Sequence, residues 1–339
     1  MQAQTRSPFV SFCFTTYKRH DHLLSTLESI RKQSFTDFEV IVSDNDPEES
    51  GKTVVEGFDD PKFKYFPNKQ NLGMKKSFNK SLERSSGEYI VMIADDDPVY
   101  PDMLETLVNL QNKYPGYGMY LGGCDWFCTH HKVGNLYGIP VGTSTCLSNN
   151  HDLNYTEAFE PEQFVQNLFR FKMFRHYLWS TGMVKREILI ERGGVPDYGT
   201  PFLGDYAYIS IMGAHSGCVI INKSLGCQTL HNENFGRNQN EQLITVAKNF
   251  PGYLASKLSG LNGWPAINQL VHNFVGIWLV SHMAFLHRYA EDKDQSLAKA
   301  EREIFEIDFM RKYKLKYFLK RRFPVLHDQF VTLKQKFRK

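Results

Sequence analysis

Short apolar runs alternate with helical patterns through the first third of the chain. The runs at 9–17, 37–46, 62–68 and 89–97 have the length and composition of strands, and helix-spaced apolar residues lie between them. This alternation predicts an α/β fold, a mostly parallel sheet flanked by helices. In such sheets ligands bind beyond the carboxyl ends of the strands. Here those ends read "TTYKR", "SDND" and "ADDD", so a binding site is expected at that edge.

Three consecutive aspartates, Asp95, Asp96 and Asp97, end the fourth run. A solvated turn or a helix cap needs only one such residue, and three adjacent carboxylates repel each other. A hard divalent cation such as Mg²⁺ or Mn²⁺ removes the repulsion, and it keeps coordination positions for water and phosphate. The sequence therefore favours a cation and phosphate site over a turn.

Two more polar segments fall on the same predicted edge. Asp44 and Asp46 follow the second strand, where they suit hydrogen bonds from a base or a ribose, and a simple turn before Pro47 accounts for them equally well. In "NLGMKKSFN", Gly73 permits close approach of the backbone to a ligand. The lysines of that segment could face phosphate, although such a pair is more often a solvated helix face.

The rest of the chain is less regular. We expect a strand at 118–128, a long surface loop at 141–163, strand, turn and helix over 177–197, and a helix at 203–217. A strand pair, or a strand followed by a polar loop, is predicted for 219–238, and helices from about 239 onward. The apolar stretch 274–286 has 13 residues, fewer than the roughly 20 of a bilayer span, and predicts a buried helix.

The six cysteines form no CxxC pair and no zinc-binding spacing, so reduced core cysteines and a cytoplasmic compartment are expected. The first apolar run, "FVSFCF", is too short for a signal peptide.

Positive charge is concentrated at the C-terminus. Residues 311–339 hold 11 Lys or Arg and one acidic residue, a net charge of +10, so the rest of the +3 chain carries −7. The interleaved Phe, Tyr and Leu favour a peripheral anchor on an anionic membrane surface. A solvated helix packed on the body of the protein is the main alternative. Nucleic acid is not expected, because no nucleic-acid-binding motif accompanies the charge.

The segments 10–46 and 71–97 together resemble inverting glycosyltransferases of family 2, of the bacterial glycan-assembly type, which have the GT-A fold. The resemblance is close over about the first 105 residues and looser to about 240. It implies a nucleotide-sugar donor, bound by residues that match the family's motifs: Thr15, Tyr17, Asp44, Asn71, Lys76, Asp95 and Asp96. Asp44 corresponds to the acid that contacts the base.

The resemblance also assigns the catalytic and metal-binding residues. Asp97 corresponds to the ligand of Mg²⁺ or Mn²⁺, and His231 to a residue that reaches the metal or the diphosphate. A satisfied histidine at the sheet edge is the alternative for His231. Asp205 corresponds to the general base, a role compatible with an N-cap. Trp179 would line the acceptor side, where stacking on a sugar competes with an ordinary core position.

Three departures from the family pattern bear on these roles. Ala94 stands where many members have Asp, Phe78 where Arg is usual, and Gly204 where an acid precedes the base. The first two leave the separate roles of Asp95 and Asp96 open, and the third makes the match at Asp205 looser than the match at Asp97.

The expected activity is inverting transfer of a sugar, with a UDP-linked donor favoured, to a hydroxyl of a glycan or lipid-linked acceptor in cell-surface polysaccharide assembly. We divide the chain into a donor half (1–115), an acceptor half (116–240) and a helical region with the basic tail (241–339). The alternatives are a non-catalytic sugar-nucleotide-binding protein and a nucleotidyltransferase. The latter usually has a glycine-rich loop after the first strand, and "TTYKRHD" has no glycine.

Overall fold

The computed structural model describes residues 7–137, 139–146, 152–173, 176–232, 240–289 and 295–323. The chain divides into two compact units. The first comprises Met1–Asp197 and Gly204–Asn232, and the second comprises Tyr198–Leu203 and Glu233–Lys339. The predicted halves 1–115 and 116–240 both contribute strands to the sheet of the first unit, and the three-part division itself stays a prediction.

The described part of the first unit contains one nine-stranded sheet. Its strands are β1 (Val10–Thr16), β2 (Phe38–Asp44), β3 (Phe63–Pro67), β4 (Tyr89–Ala94), β5 (Met119–Cys128), β6 (Ser144–Thr145), β7 (Thr156–Phe159), β8 (Gly182–Lys185) and β9 (Cys218–Leu230). Their order is β3-β2-β1-β4-β8-β5-β9-β7, and β6 pairs with β5. The pairs among β1 to β4 and the pair β5–β9 are parallel, whereas β6, β7 and β8 pair antiparallel. The sheet is therefore mixed, and the α/β fold class is confirmed.

Helices connect and cover these strands. Those of the first unit are α1 (His20–Arg31), α2 (Lys52–Glu56), α3 (Met74–Arg84), α4 (Met103–Lys113), α5 (His131–Tyr137), α6 (Pro161–Phe169), α7 (Arg186–Glu191) and α8 (Gly204–Ser216). A 3₁₀ turn, Trp179–Thr181, precedes β8. Helix α1 shows why the pattern forms a helix: Leu23, Leu27 and Ile30 lie on one face and are fully buried against the sheet core.

One of two predicted irregular regions differs in the structure. The segment 141–163 is not a continuous loop, because β7 lies within it and pairs with β9 at the sheet edge. An edge strand can carry polar residues, and "TEAF" lacks the apolar run used to predict strands. The region 219–238 contains one long strand, β9, which agrees with the second of the two alternatives, a strand followed by a loop, and not with a strand pair. Residues 233–239 lie outside the described part.

The second unit is helical, as predicted. Its described helices are α9 (Gln242–Leu258), α10 (Trp264–Tyr289), α11 (Gln295–Glu306), α12 (Asp308–Arg311) and α13 (Lys314–Arg322). Helix α10 contains the apolar stretch 274–286 but is 26 residues long, twice the predicted length. By length and composition, Trp264–His287 could cross a membrane. Within this unit, however, one face of α10 is fully buried, including Val271, Phe274 and Leu279, as expected for a core helix.

Candidate active site

Three strand ends meet at one edge of the sheet. Thr16 at the end of β1 pairs with Asp44 at the end of β2, and Thr15 pairs with Ala94 at the end of β4. The polar residues that follow these strands are therefore neighbours, although they are far apart in the sequence. This is the edge at which the sequence predicts ligand binding.

Asp95 and Asp96 share one arginine. The guanidinium of Arg19 lies 3.1 Å from Asp95 Oδ1 and 2.9 Å from Asp96 Oδ2. The Thr16 hydroxyl donates to Asp95 (2.8 Å), and the ring Nε2 of His231 lies 3.0 Å from Asp96. The two carboxylates thus have different surroundings, since Asp95 is tied to β1 and Asp96 to the end of β9.

These surroundings separate the acidities of the pair. Burial, followed by the negative charge of Asp96, raises the pKa of Asp95 to about 6. Burial also acts on Asp96, but the hydrogen bond from His231 and the charge of Arg19 outweigh it and hold the pKa of Asp96 below its usual range. Asp96 is therefore the member of the pair that stays ionised most readily.

Asp97 is the most electrostatically strained of the three aspartates. Its side chain is buried, and the Ser180 hydroxyl lies 3.4 Å from its Oδ2. Burial, and then the charges of Asp96, Asp205 and Asp95, raises the pKa of Asp97 well above its usual range. A positive charge placed beside Asp97 would remove this penalty.

Asp205 lies in the first turn of α8. Its Oδ1 accepts a hydrogen bond from the backbone N–H of Trp179 at 3.2 Å, and burial raises its pKa to about 6. The next residue of the same 3₁₀ turn, Ser180, reaches Asp97. One short turn thus contacts the predicted metal ligand and the predicted base.

The indole of Trp179 is part of the core and not of an open sugar-binding surface. It is 8% exposed and packs edge-on against Phe78 and Tyr208, with ring centroids 5.2 and 5.6 Å away. Of the two alternatives for this residue, the structure supports the core position.

Asp44 ends β2 and Asp46 lies in the loop that follows, and their carboxylates have different surroundings. Asp44 is fully buried, and its carboxylate accepts hydrogen bonds from the backbone N–H groups of Asp46 and Gly51 and from the Tyr65 hydroxyl. Asp46 has a buried Oδ2 without a hydrogen-bond partner, and Lys18 lies 3.8 Å from its Oδ1. Contact of Asp44 with a base stays a prediction, and Asp46 joins it as a candidate.

The other predicted donor-binding residues surround this edge. Thr15 donates to Ser77 at 2.6 Å and is largely buried, whereas Tyr17 is 45% exposed. Asn71 accepts from the side chain of Asn45 at 2.8 Å. Lys76 is exposed on the first turn of α3. Their roles in donor binding stay predictions.

The residues at the aspartate cluster fit an open cation site better than a closed one. Among the described residues, no group of three or more His, Cys, Asp or Glu side chains is assembled to hold a metal. Asp97 is nevertheless a buried carboxylate surrounded by like charge, which suits a hard cation. Mg²⁺ is commonly bound by one or two carboxylates, with the substrate phosphates and water completing its shell.

Arg19 and His22 were not singled out from the sequence as parts of this site. Trp179 was predicted to line the acceptor side, but the contacts of its turn with Asp205 and Asp97 were not predicted. His22 on α1 stacks on His231, with ring centroids 4.4 Å apart. Arg19 stands in the quoted "TTYKR", so its position at a strand end was the available signal. The turn gave no such signal, because its role depends on contacts with residues 26 and 83 positions away.

The family model named Glycosyl transferase family 2 matches residues 11–189, more than half of the chain. The chain belongs to glycosyl transferase family 2. The matched range of this family 2 chain begins in β1, includes Asp95–Asp97 and the turn at Trp179, and ends before Asp205 and His231.

Relatives of this family 2 chain match between a third and two fifths of its length. The GalNAc(5)-diNAcBac-PP-undecaprenol beta-1,3-glucosyltransferase of Campylobacter jejuni is 34% identical over 132 residues, which is 38% of this chain and 41% of that protein. An uncharacterized glycosyltransferase of Rickettsia typhi is 28% identical over 113 residues, 33% of this chain and 35% of that protein. The chain therefore matches about two fifths or less of the length of these relatives.

Solved structures share the fold over nearly the whole chain. S. aureus TarS 1–349 in complex with UDP-GlcNAc has a TM-score of 0.58 at 15% identity, covering 91% of each chain. The mannosyltransferase PcManGT from Pyrobaculum calidifontis, in complex with GDP-Man and Mn²⁺, has a TM-score of 0.51 at 16% identity, covering 95% of this chain and 89% of that one. These likenesses confirm the predicted GT-A architecture with its helical C-terminal region.

Proposed function

We propose that this family 2 chain is an inverting glycosyltransferase. It moves a sugar from a nucleotide-sugar, with UDP as the favoured nucleotide, to a hydroxyl of a lipid-linked glycan. The observation that carries the proposal is the turn Trp179–Thr181, which places a base-like carboxylate, Asp205, beside the cluster Asp95–Asp97. Reaction at the anomeric carbon needs a base on one side and charge neutralisation on the other.

On the donor side, the chain offers groups that bind and orient a diphosphate. Asp97 and His231 are the predicted metal-binding residues, and Asp97 would hold Mg²⁺ or Mn²⁺. Asp96, which lies 3.0 Å from His231 Nε2, is the further carboxylate that we assign to the cation. A bound cation supplies positive charge against the leaving nucleoside diphosphate. Arg19 keeps Asp95 and Asp96 in place, so that both face the same edge.

On the acceptor side, Asp205 takes the proton of the attacking hydroxyl. A carboxyl group with a pKa of about 6 is mostly ionised at pH 7 to 8 and is a stronger base than an ordinary aspartate. The N–H of Trp179 fixes Oδ1, and Oδ2 is the oxygen we assign to the acceptor hydroxyl. Attack from the face opposite the leaving group inverts the anomeric carbon in one displacement and needs no carboxylate nucleophile.

The comparisons favour particular substrates. The Campylobacter relative is named for an undecaprenol-linked acceptor, and the TarS structure contains UDP-GlcNAc. We propose by analogy a UDP-linked hexose donor and a lipid-linked glycan acceptor, in cell-surface polysaccharide assembly at the cytoplasmic face of the membrane.

A donor screen tests the proposal. The full chain is incubated with nucleotide-sugars and lipid-linked acceptors, nucleoside diphosphate release is measured, and the anomeric configuration of the product is determined by NMR. We expect release with one donor and an inverted product, whereas a retained configuration would contradict the mechanism.

Asp205→Asn should reduce transfer about 10²-fold or more while donor binding persists. Donor binding without transfer to any acceptor would favour the non-catalytic alternative.

A further inference from the structure

Helix α13 is held on the second unit by one defined face. Tyr313 and Tyr317 are buried, and their hydroxyls donate to Asn273 and Glu301. Lys320, one turn further on, lies 3.0 Å from the hydroxyl of Ser281. These contacts fix the rotation of the helix about its own axis.

A glycine of α10 shows how closely this face fits. A Cβ atom at Gly276 would lie 2.3 Å from the ring of Tyr313, so only glycine allows the ring to pack there. The orientation of α13 is therefore set by packing as well as by hydrogen bonds.

The opposite face of α13 is apolar and exposed. Leu315, Phe318 and Leu319 are 68%, 55% and 43% exposed, and at 100° per residue they point away from Tyr313 and Tyr317. Most of the large exposed apolar residues of the described chain occur singly, whereas these three are adjacent on one helix. A contiguous apolar face of this kind usually marks an interaction surface.

The surroundings of this face are strongly basic. Residues 311–323 contain seven Lys or Arg and no acidic residue. Lys314, Arg321 and Arg322 are exposed on α13 itself, beside the apolar side chains. A helix with apolar residues on one face and cations around them suits the boundary between acyl chains and anionic headgroups.

We propose that the face formed by Leu315, Phe318 and Leu319 inserts into the surface of an anionic phospholipid bilayer, with the basic residues of α13 on the headgroups. The occupant is a lipid surface because the face is apolar and every charged residue of α13 is positive, although Arg321 is paired with Glu301 of α11 at 3.4 Å. This assigns membrane contact to three residues of one helix, where the sequence pointed only to a basic tail. The proposal does not depend on the transferase activity.

Vesicle binding by the full chain tests the apolar contribution. Leu315→Ser with Phe318→Ser should weaken binding to phosphatidylglycerol-containing vesicles about tenfold or more. The reason is that two apolar side chains, exposed in the free protein, would no longer be buried in the bilayer. Ile190→Ser with Phe171→Ser is the matched control, since these residues are 47% and 50% exposed in the first unit. Equal binding of the test variant and the wild type would overturn the proposal.

Variants that remove positive charge from α13 distinguish a lipid surface from other partners. Lys314→Gln with Arg322→Gln should lower affinity for anionic vesicles about fivefold per charge, with little change for neutral phosphatidylcholine. Arg321 is left unchanged because it pairs with Glu301, which also accepts from Tyr317. Analytical ultracentrifugation of the Leu315/Phe318 variant should show an unchanged oligomeric state. If that variant instead dissociates a dimer and vesicle binding does not change, the face is an interface between copies and the lipid proposal is wrong.

Discussion

The guanidinium of Arg19 lies 2.9 Å from the carboxylate of Asp96, although the two residues are 77 positions apart. It also contacts Asp95, so one cation offsets two adjacent buried carboxylates. We expect Arg19→Gln to lower the free energy of unfolding by about 1–3 kcal/mol at pH 7.5 in EDTA, because removing one partner leaves buried charge unpaired. Urea denaturation measures the change.

Arg311→Gln is the control for this prediction, because Arg311 pairs with Asp308 on the surface and both side chains are mostly exposed. Such pairs contribute about 0–1 kcal/mol. An Arg19→Gln effect no larger than that of Arg311→Gln would show that Arg19 does not neutralise the aspartates.

Asp97 gives a prediction about metal removal. In the wild type, UDP should raise the thermal midpoint when Mn²⁺ is present and have no effect in EDTA. Saturation at 100 times the dissociation constant adds about 2.7 kcal/mol of stability. Asp97→Asn should abolish the Mn²⁺-dependent part, which differential scanning fluorimetry can follow.

The matched control is Asp125→Asn. Asp125 is also buried, and its carboxylate accepts hydrogen bonds from Tyr100 and Ser224. This variant should lose stability but keep the Mn²⁺-dependent stabilisation by UDP. If UDP stabilises the wild type equally in EDTA, the metal assignment fails.

Asp205 makes stability depend on pH. Burial raises the pKa of this carboxyl group from 3.8 to about 6. A raised pKa contributes stability below about pH 4, which is lost as the pH rises through about 6. Asp205→Asn removes the charge and keeps an acceptor for the Trp179 N–H. The metal-free variant should therefore be about 1–2 kcal/mol more stable than the wild type at pH 7.5 and equal at pH 4, after allowance for partial exposure.

Ionisation of the Asp205 carboxyl group should also determine how kcat/KM depends on pH. We expect the kcat/KM of the wild type to fall on the acid side with an apparent pKa near 6, since the base must be ionised. Two results would contradict the role of Asp205. One is an Asp205→Asn variant that is less stable than the wild type at pH 7.5, and the other is a wild-type kcat/KM that does not fall at low pH.

Asp44 and Asp46 should separate in their effects. Asp44→Asn disturbs a buried acceptor of three hydrogen bonds and should cost about 1–3 kcal/mol of stability. Asp46→Asn should leave stability within about 1 kcal/mol and weaken UDP binding, measured by calorimetry. Weaker UDP binding by Asp44→Asn at unchanged stability would support base contact by Asp44 instead.

The parts of the site that follow the strands could be predicted, because apolar runs and their polar ends lie together in the sequence. Asp95–Asp97 and Asp44 are examples, and their placement at one edge follows from parallel pairing. Arg19 also follows a strand, in "TTYKR", but neither its contacts with Asp95 and Asp96 nor those of the turn at Trp179 could be predicted in this way. Their roles depend on contacts between distant residues, which a local pattern does not encode.

The same limit applies to the fold. Strand β7 has no apolar run, so its pairing with β9 was not predictable from "TEAF" alone. The burial of Trp179 depends on Phe78 and Tyr208, which come from α3 and α8. By contrast, the apolar spacing at the start of the chain predicts three residues of the buried face of α1, Leu23, Leu27 and Ile30, because they lie within one helix. Leu24 of the same pattern is 40% exposed, and Phe35 lies beyond the end of the helix.

The turn Trp179–Thr181 sets the spacing between Asp205 and Asp97 in the first unit. The contacts to Asp205 and Asp97 come from consecutive residues, whose Cα atoms are about 3.8 Å apart. Under the proposed mechanism, a one-residue insertion between Trp179 and Ser180 would shift Asp205 relative to Asp97 and reduce transfer. The spacing of these two residues would then be constrained by the reaction, whereas exposed loops in general tolerate changes of length.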